Sequence, residues 1–163
     1  MPPNAASDPR AKHYARLIRE AKKAMRHAHA PISDFKVGAA LLFGADTIVH
    51  GCNVEFDALG HTLCAERTAV VSAVAQNRRH PKAIAVIAHT ADGLPVSPCG
   101  ACRQVLYEFD PKAQLVIVLA TTSGDGVRIC TTADLLPDAF TLRAARAGVG
   151  ARRKRTGSST SKS

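Results

Sequence analysis

Two uninterrupted apolar runs, AIAVIA at residues 83–88 and LVIVLA at residues 115–120, constrain the fold more than any other feature of this 163-residue chain. A run without polar alternation is what a strand covered on both faces requires. Neither run approaches the roughly 20 apolar residues of a membrane span. Between them, Ser97 and Pro98 offer an N-cap followed by a proline at the first helical position, predicting a helix to about Phe109. Upstream, Tyr14, Leu17, Ile18, Ala21 and Met25 recur at three- and four-residue steps, predicting a helix over residues 10–29 that Pro31 ends. Residues 36–43 and 47–54 read as a hairpin around Gly44-Ala45-Asp46. A helix is predicted over residues 63–77 with Thr62 as N-cap. Residues 127–130 read as an edge strand and 132–136 as a final helical turn. Strands that alternate with helices after an opening hairpin predict an α/β fold, a three-layer αβα sandwich around a mixed five-stranded sheet.

The charge is +9, which invites a nucleic-acid reading. Its location argues against one. Residues 141–163 contain five Arg, two Lys and no acid, so +7 of the +9 lies there and +2 remains for the body. The organisation expected is a flexible N-terminus over residues 1–9, a folded domain over 10–145, and a basic tail over 146–163 with too little apolar surface to fold. Single-strand binders stack bases on aromatic platforms, whereas this chain has two Tyr, five Phe and no Trp. The N-terminal MPPNAASDPR has no apolar signal core, so the expected location is the cytoplasm.

Five cysteines without a signal peptide argue against a disulfide framework. Cys99 and Cys102 fall at i and i+3 on one helical face, at a helix start. Cys64 falls at another. Helix N-termini stabilise anions and lower thiol pKa values. Three thiolates with an open fourth position is the donor set of a catalytic zinc, and a structural zinc wants a fourth ligand. Glu66, two residues from Cys64, is then a non-ligand carboxylate able to move protons for a water activated at the metal. Arg67 offsets part of the excess thiolate charge. Cys52 and Cys130 lie in predicted strands, where a small buried thiol needs no chemical role. The C-x-E and P-C-x-x-C pair follows the zinc-deaminase signature, with Cys in place of its usual His.

The stretches FKVGAA (35–40), GCNVE (51–55), CAERTA (64–69), SPCGACRQVL (97–106) and LLPDAF (135–140) resemble, in this order, the small three-cysteine cytidine deaminases. The resemblance covers about residues 10–140. It implies one Zn2+ per subunit on Cys64, Cys99 and Cys102, and Glu66 as proton shuttle. It further implies Asn53 and Glu55 on the ribose, chiefly its 3′-hydroxyl, Phe35 against the pyrimidine, and the Ala65 backbone on the base. Ala58, Leu59 and Phe140 complete the implied substrate contacts, with Phe140 reaching into a neighbour of a homotetramer. The expected activity is hydrolytic deamination of cytidine and 2′-deoxycytidine in pyrimidine salvage, with no membrane partner and no nucleic acid beyond weak contacts by the basic tail. The family usually reads NVENASYGLT where this chain reads NVEFDALGHT (53–62), and YAPYSxF where this chain reads HAPISDF (29–35). The altered rim at Ile32, Phe56 and Leu59 keeps open a modified cytosine nucleoside or a blasticidin-type aminonucleoside as substrate.

Overall fold

The computed structural model describes residues 9–110, 112–123 and 126–142, with side chains from Tyr14 onward. The expectations placed on residues 1–8 and 143–163 lie outside the described residues. Helix α1 (Pro9–Met25) is followed by strands β1 (Val37–Phe43) and β2 (Thr47–Cys52), helix α2 (Ala65–Ala75) and strand β3 (Ala83–Ala88). Helix α3 (Gly100–Glu108), strands β4 (Val116–Thr121) and β5 (Val127–Thr131) and helix α4 (Thr132–Leu135) complete the order.

The five strands form one sheet in the order β2-β1-β3-β4-β5. Only β3 and β4 pair in parallel, from Ala83 opposite Val116 to Ala88 opposite Thr121. The other pairings are antiparallel, so the sheet is mixed. The parallel pair consists of the two apolar runs, and the reason is visible in their alternation. Ala83, Ala85 and Ile87 face Leu17 and Ala21 of α1, together with Val118 and Ala120. Ile84 and Val86 face the opposite layer, where Ala65, Ala69, Val70 and Ala73 of α2 meet Leu106 of α3. Each run therefore supplies two cores at once.

Two glycines set how closely the layers approach. A Cβ at Gly38 would lie 2.1 Å from the Ala21 carbonyl oxygen on the α1 side. A Cβ at Gly51 would lie 2.3 Å from the Ala69 amide nitrogen and 2.4 Å from the Ala65 carbonyl oxygen. The backbone of β2 thus lies directly against the first turns of α2, the helix that carries Cys64 and Glu66 at its start.

Helix boundaries depart from the sequence-based expectation in an instructive way. The N-cap of α2 is Cys64, not Thr62, and that of α3 is Cys99, not Ser97. Leu63 and Val54 exchange backbone hydrogen bonds of 3.0 and 2.9 Å, which keeps the chain extended past Thr62. The Thr62 carbonyl is instead taken by the Arg67 guanidinium. At α3, Ser97 precedes a proline, which disfavours helical geometry there, and the Pro98 carbonyl accepts from Arg103 Nε at 2.8 Å. Helix α1 ends at Met25 rather than residue 29, and β2 ends at Cys52 with Val54 in an isolated bridge.

Gly51→Ala is expected to destabilise the fold by about 1–3 kcal/mol or more, because the obstructing atoms are helix backbone. Urea unfolding of the variant against the parent chain measures the loss.

Candidate active site

The two helix starts place three sulfurs together. Cys64 and Cys99 occupy the N-cap positions of α2 and α3, both with extended backbone, and Cys102 follows one turn into α3. The Cys64 and Cys99 sulfurs are 3.8 Å apart, and all three lie within 4.8 Å of one another. A tetrahedral zinc with Zn–S bonds of about 2.3 Å holds its sulfurs about 3.8 Å apart, so this donor set fits one zinc ion. Neither N-cap cysteine makes a side-chain cap hydrogen bond, which leaves both sulfurs available to a cation.

The Cys64 and Cys102 thiols are shifted in opposite directions. Hydrogen bonding, from Cys102 first and then Arg67 and Cys99, pulls Cys64 down to about 5 against the opposing effect of burial. The same hydrogen bond, with burial and the nearby Glu66 charge, pushes Cys102 up. Cys64 is thus drawn toward the thiolate ahead of Cys102, and a divalent cation favours the thiolate form of its ligands on binding.

Arg67 is the cation the fold itself provides. Its Nη2 donates to the Thr62 carbonyl at 2.6 Å and to the Cys64 sulfur at 3.8 Å. That contact with Cys64 holds the guanidinium firmly charged. Its Nε is buried and has no hydrogen-bond partner among the described residues. Glu66 occupies the second position of α2, in the first turn, and is only 4% exposed. Burial pushes its carboxyl above the ordinary range, and the Cys64 charge adds to the shift.

A pocket of about 220 Å³ opens beside the sulfurs. Cys64, Cys99 and Glu66 line its wall together with Asn53 and Glu55. Val37, Val86 and Val96 supply apolar surface next to Phe35. Those three valines and Ser33 also line the pocket and were not singled out in the sequence, while Thr62 and Ser97, which line it too, were read there only as helix caps. Val37 and Val86 are strand residues that also pack in the core against α2, with Val86 only 3% exposed. Among the described residues, Ala58, Leu59, Ala65 and Phe140 are not part of this wall. Ala65 is fully buried beside Cys64, whereas Leu59 and Phe140 are 63% and 64% exposed.

Asn53 and Glu55 are held by the segment that carries Phe35. Asn53 Oδ1 accepts from the Val37 amide at 2.8 Å, and its Nδ2 donates to the Phe35 carbonyl at 2.9 Å. Glu55 Oε2 accepts from the amides of Ile32 and Ser33, and Oε1 from the Ser33 hydroxyl. The Ser33 hydroxyl, followed by the Ile32 amide, holds the Glu55 carboxyl below its ordinary value of 4.5. Cys52 and Cys130 stand apart, donating to the carbonyls of His27 and Ile117, and burial pushes both thiols up. His61 is exposed in a short 3-10 turn, Leu59–His61.

Fold and site together define a zinc-dependent deaminase architecture. Residues 11–119 match the family described as the cytidine and deoxycytidylate deaminase zinc-binding region, and the chain belongs to that family. It is 50% identical over 125 residues to a cytidine deaminase of Sporosarcina psychrophila, covering 77% of this chain and 89% of that one. A cytidine deaminase of Halalkalibacterium halodurans is 46% identical over 125 residues, 77% of this chain and 92% of its own. The crystal structure of a cytidine deaminase from Burkholderia pseudomallei superposes with a TM-score of 0.72 at 50% identity, covering 77% of this chain and 97% of that one.

Two outcomes follow from the geometry. Arg67→Ala removes the donor beside Cys64 and should weaken zinc binding about 10–100-fold, as losses around a metal's ligands do, read by competition with a chromogenic chelator. Glu55 contributes to the strap around residues 31–35 in its charged form, since its folded value lies below its unfolded one. That contribution is present above pH 4.5 and is lost as pH falls through the folded value. The protection of the Ile32 and Ser33 amides, measured against intrinsic exchange at each pH, should therefore fall on acidification before that of β3 does.

Proposed function

We propose that this chain catalyses hydrolytic deamination of cytidine and 2′-deoxycytidine, giving uridine and 2′-deoxyuridine with release of ammonia. The observation that carries this reading is Glu66, a buried carboxylate that faces the pocket beside three metal-donor sulfurs. Cys64, Cys99 and Cys102 would hold the zinc, which when bound supplies the Lewis acidity that makes water a nucleophile near neutral pH.

The proton work falls to one side chain. Glu66 takes a proton from the attacking water and delivers it to N3 of the pyrimidine, which makes C4 more electrophilic as the hydroxyl joins it. Glu66 then carries the remaining hydroxyl proton to the 4-amino group. The C4–N4 bond breaks and ammonia leaves. A carboxyl raised by burial suits both halves of this task, because it must gain and release a proton in each turnover. Phe35 and the three valines hold the ring against the sheet end and exclude water, while Asn53 and Glu55 accept and orient the sugar.

Leu59 and Phe140, with Ile32 and Phe56, leave apolar surface exposed on the single chain. That supports a homotetramer in the cytoplasm in which Phe140 and the Ala58–Leu59 rim contact a neighbour's substrate, and the Ala65 backbone contacts the base within its own site. The same apolar rim favours a second reading, a cytosine nucleoside modified at N4 or C5 or a blasticidin-type aminonucleoside.

Purified holoenzyme with about one zinc per chain should bleach the cytidine absorbance band on conversion to uridine. Glu66→Gln should keep the zinc and lower kcat by about 10²–10⁴-fold, the range of a lost general acid–base. Full activity in that variant would remove the carboxylate from the mechanism. A modified nucleoside exceeding cytidine in kcat/KM would favour the second reading.

A further inference from the structure

The segment that presents Phe35 to the pocket is organised around one hydroxyl. Ser33 Oγ donates to Glu55 Oε1 and accepts from the Phe35 amide at 3.0 Å. Glu55 Oε2 already accepts two amides, Ile32 at 2.9 Å and Ser33 at 3.2 Å. A carboxylate oxygen offers about two acceptor sites. Oε2 is therefore filled, and Oε1 has one site left. Ser33, Phe35 and Glu55 all line the same pocket.

We propose that Ser33 is a positioning residue for sugar recognition. Its hydroxyl occupies one acceptor site of Glu55 Oε1, aims the remaining one at the ligand, and ties that direction to the backbone of Phe35. The acceptor for a sugar hydroxyl and the ring that packs on the base are thereby set at a fixed separation. Without the hydroxyl, Oε1 has two open sites and no fixed preference between them, and the Phe35 amide turns to water. The cost falls on substrates that present a hydroxyl to Glu55 and spares those that do not. Nothing in the arrangement links Ser33 to the proton transfers of Glu66, so the effect belongs to binding. The inference rests on the reading of Glu55 as the acceptor of the ribose 3′-hydroxyl.

Steady-state kinetics of the zinc-loaded enzyme on cytidine and 3′-deoxycytidine tests both levels separately. The parent enzyme should prefer cytidine. Ser33→Ala should lower kcat/KM for cytidine about tenfold, the scale of one hydrogen bond to a charged group. The loss should lie in KM with kcat nearly unchanged, as expected for uniform binding. Turnover of 3′-deoxycytidine should hardly change, and Ser33→Thr, which keeps the hydroxyl, should restore cytidine. If the parent enzyme makes no distinction between the two nucleosides, the reading of Glu55 is wrong and the inference falls with it. If the parent discriminates but Ser33→Ala loses equally on both, or Ser33→Thr fails to restore cytidine, Glu55 keeps its role and Ser33 only supports the loop.

Discussion

The convergence of two helix N-termini on three sulfurs is the interaction on which the rest of the molecule turns. Two or three negative charges within 4.8 Å would repel strongly in a half-buried site. Three features offset that repulsion before any metal arrives. The N-termini of α2 and α3 both point positive ends at the cluster. The Arg67 guanidinium donates to the Cys64 sulfur. Hydrogen bonding with Cys64 and burial push the Cys102 thiol up, which disfavours a second charge there. Keeping both helix starts in register requires α2 to lie hard against β2, which is why a backbone without a side chain is needed at Gly51.

A second constraint concerns polar groups with two tasks. Asn53 and Glu55 sit just beyond β2 and face the pocket, yet most of their hydrogen-bonding capacity is spent on residues 32–37. This is economical, because a buried polar group without partners costs free energy. It also means that the groups facing a ligand are already oriented before it binds, so little rotamer entropy remains to be lost. Mutating Asn53 or Glu55 themselves therefore alters the pocket lining and the 32–37 segment together. A neighbour such as Ser33 is more informative, because its hydroxyl can be removed while both Asn53 and Glu55 stay in place.

The sheet was legible because its two central strands are apolar on both faces, a pattern few other structures tolerate. The metal set was legible because i, i+3 spacing at a helix start has a geometric consequence that does not depend on tertiary context. The cap positions were misplaced for the opposite reason. Thr62 and Ser97 are good capping residues locally, but the Val54–Leu63 bridge and the Arg67 and Arg103 contacts with Thr62 and Pro98 decide where each helix starts. Local propensity yields to such contacts routinely. Val37, Val86 and Val96 stayed hidden because an apolar pocket wall and an apolar core have the same composition. Ser33 stayed hidden because a serine in a turn-forming stretch such as APISDF looks like loop chemistry.

The C-terminal segment extends the same logic beyond the pocket. Arg103 Nη1 donates to the Leu135 carbonyl at 3.1 Å, and Gln104 Nε2 donates to the Phe140 carbonyl at 2.8 Å. Both side chains belong to α3, the helix that starts at Cys99 and carries Cys102. The backbone that presents the exposed Phe140 ring is thus fastened to the element that holds two of the three sulfurs. A displacement of α3 large enough to disturb the donor set would move Phe140 with it.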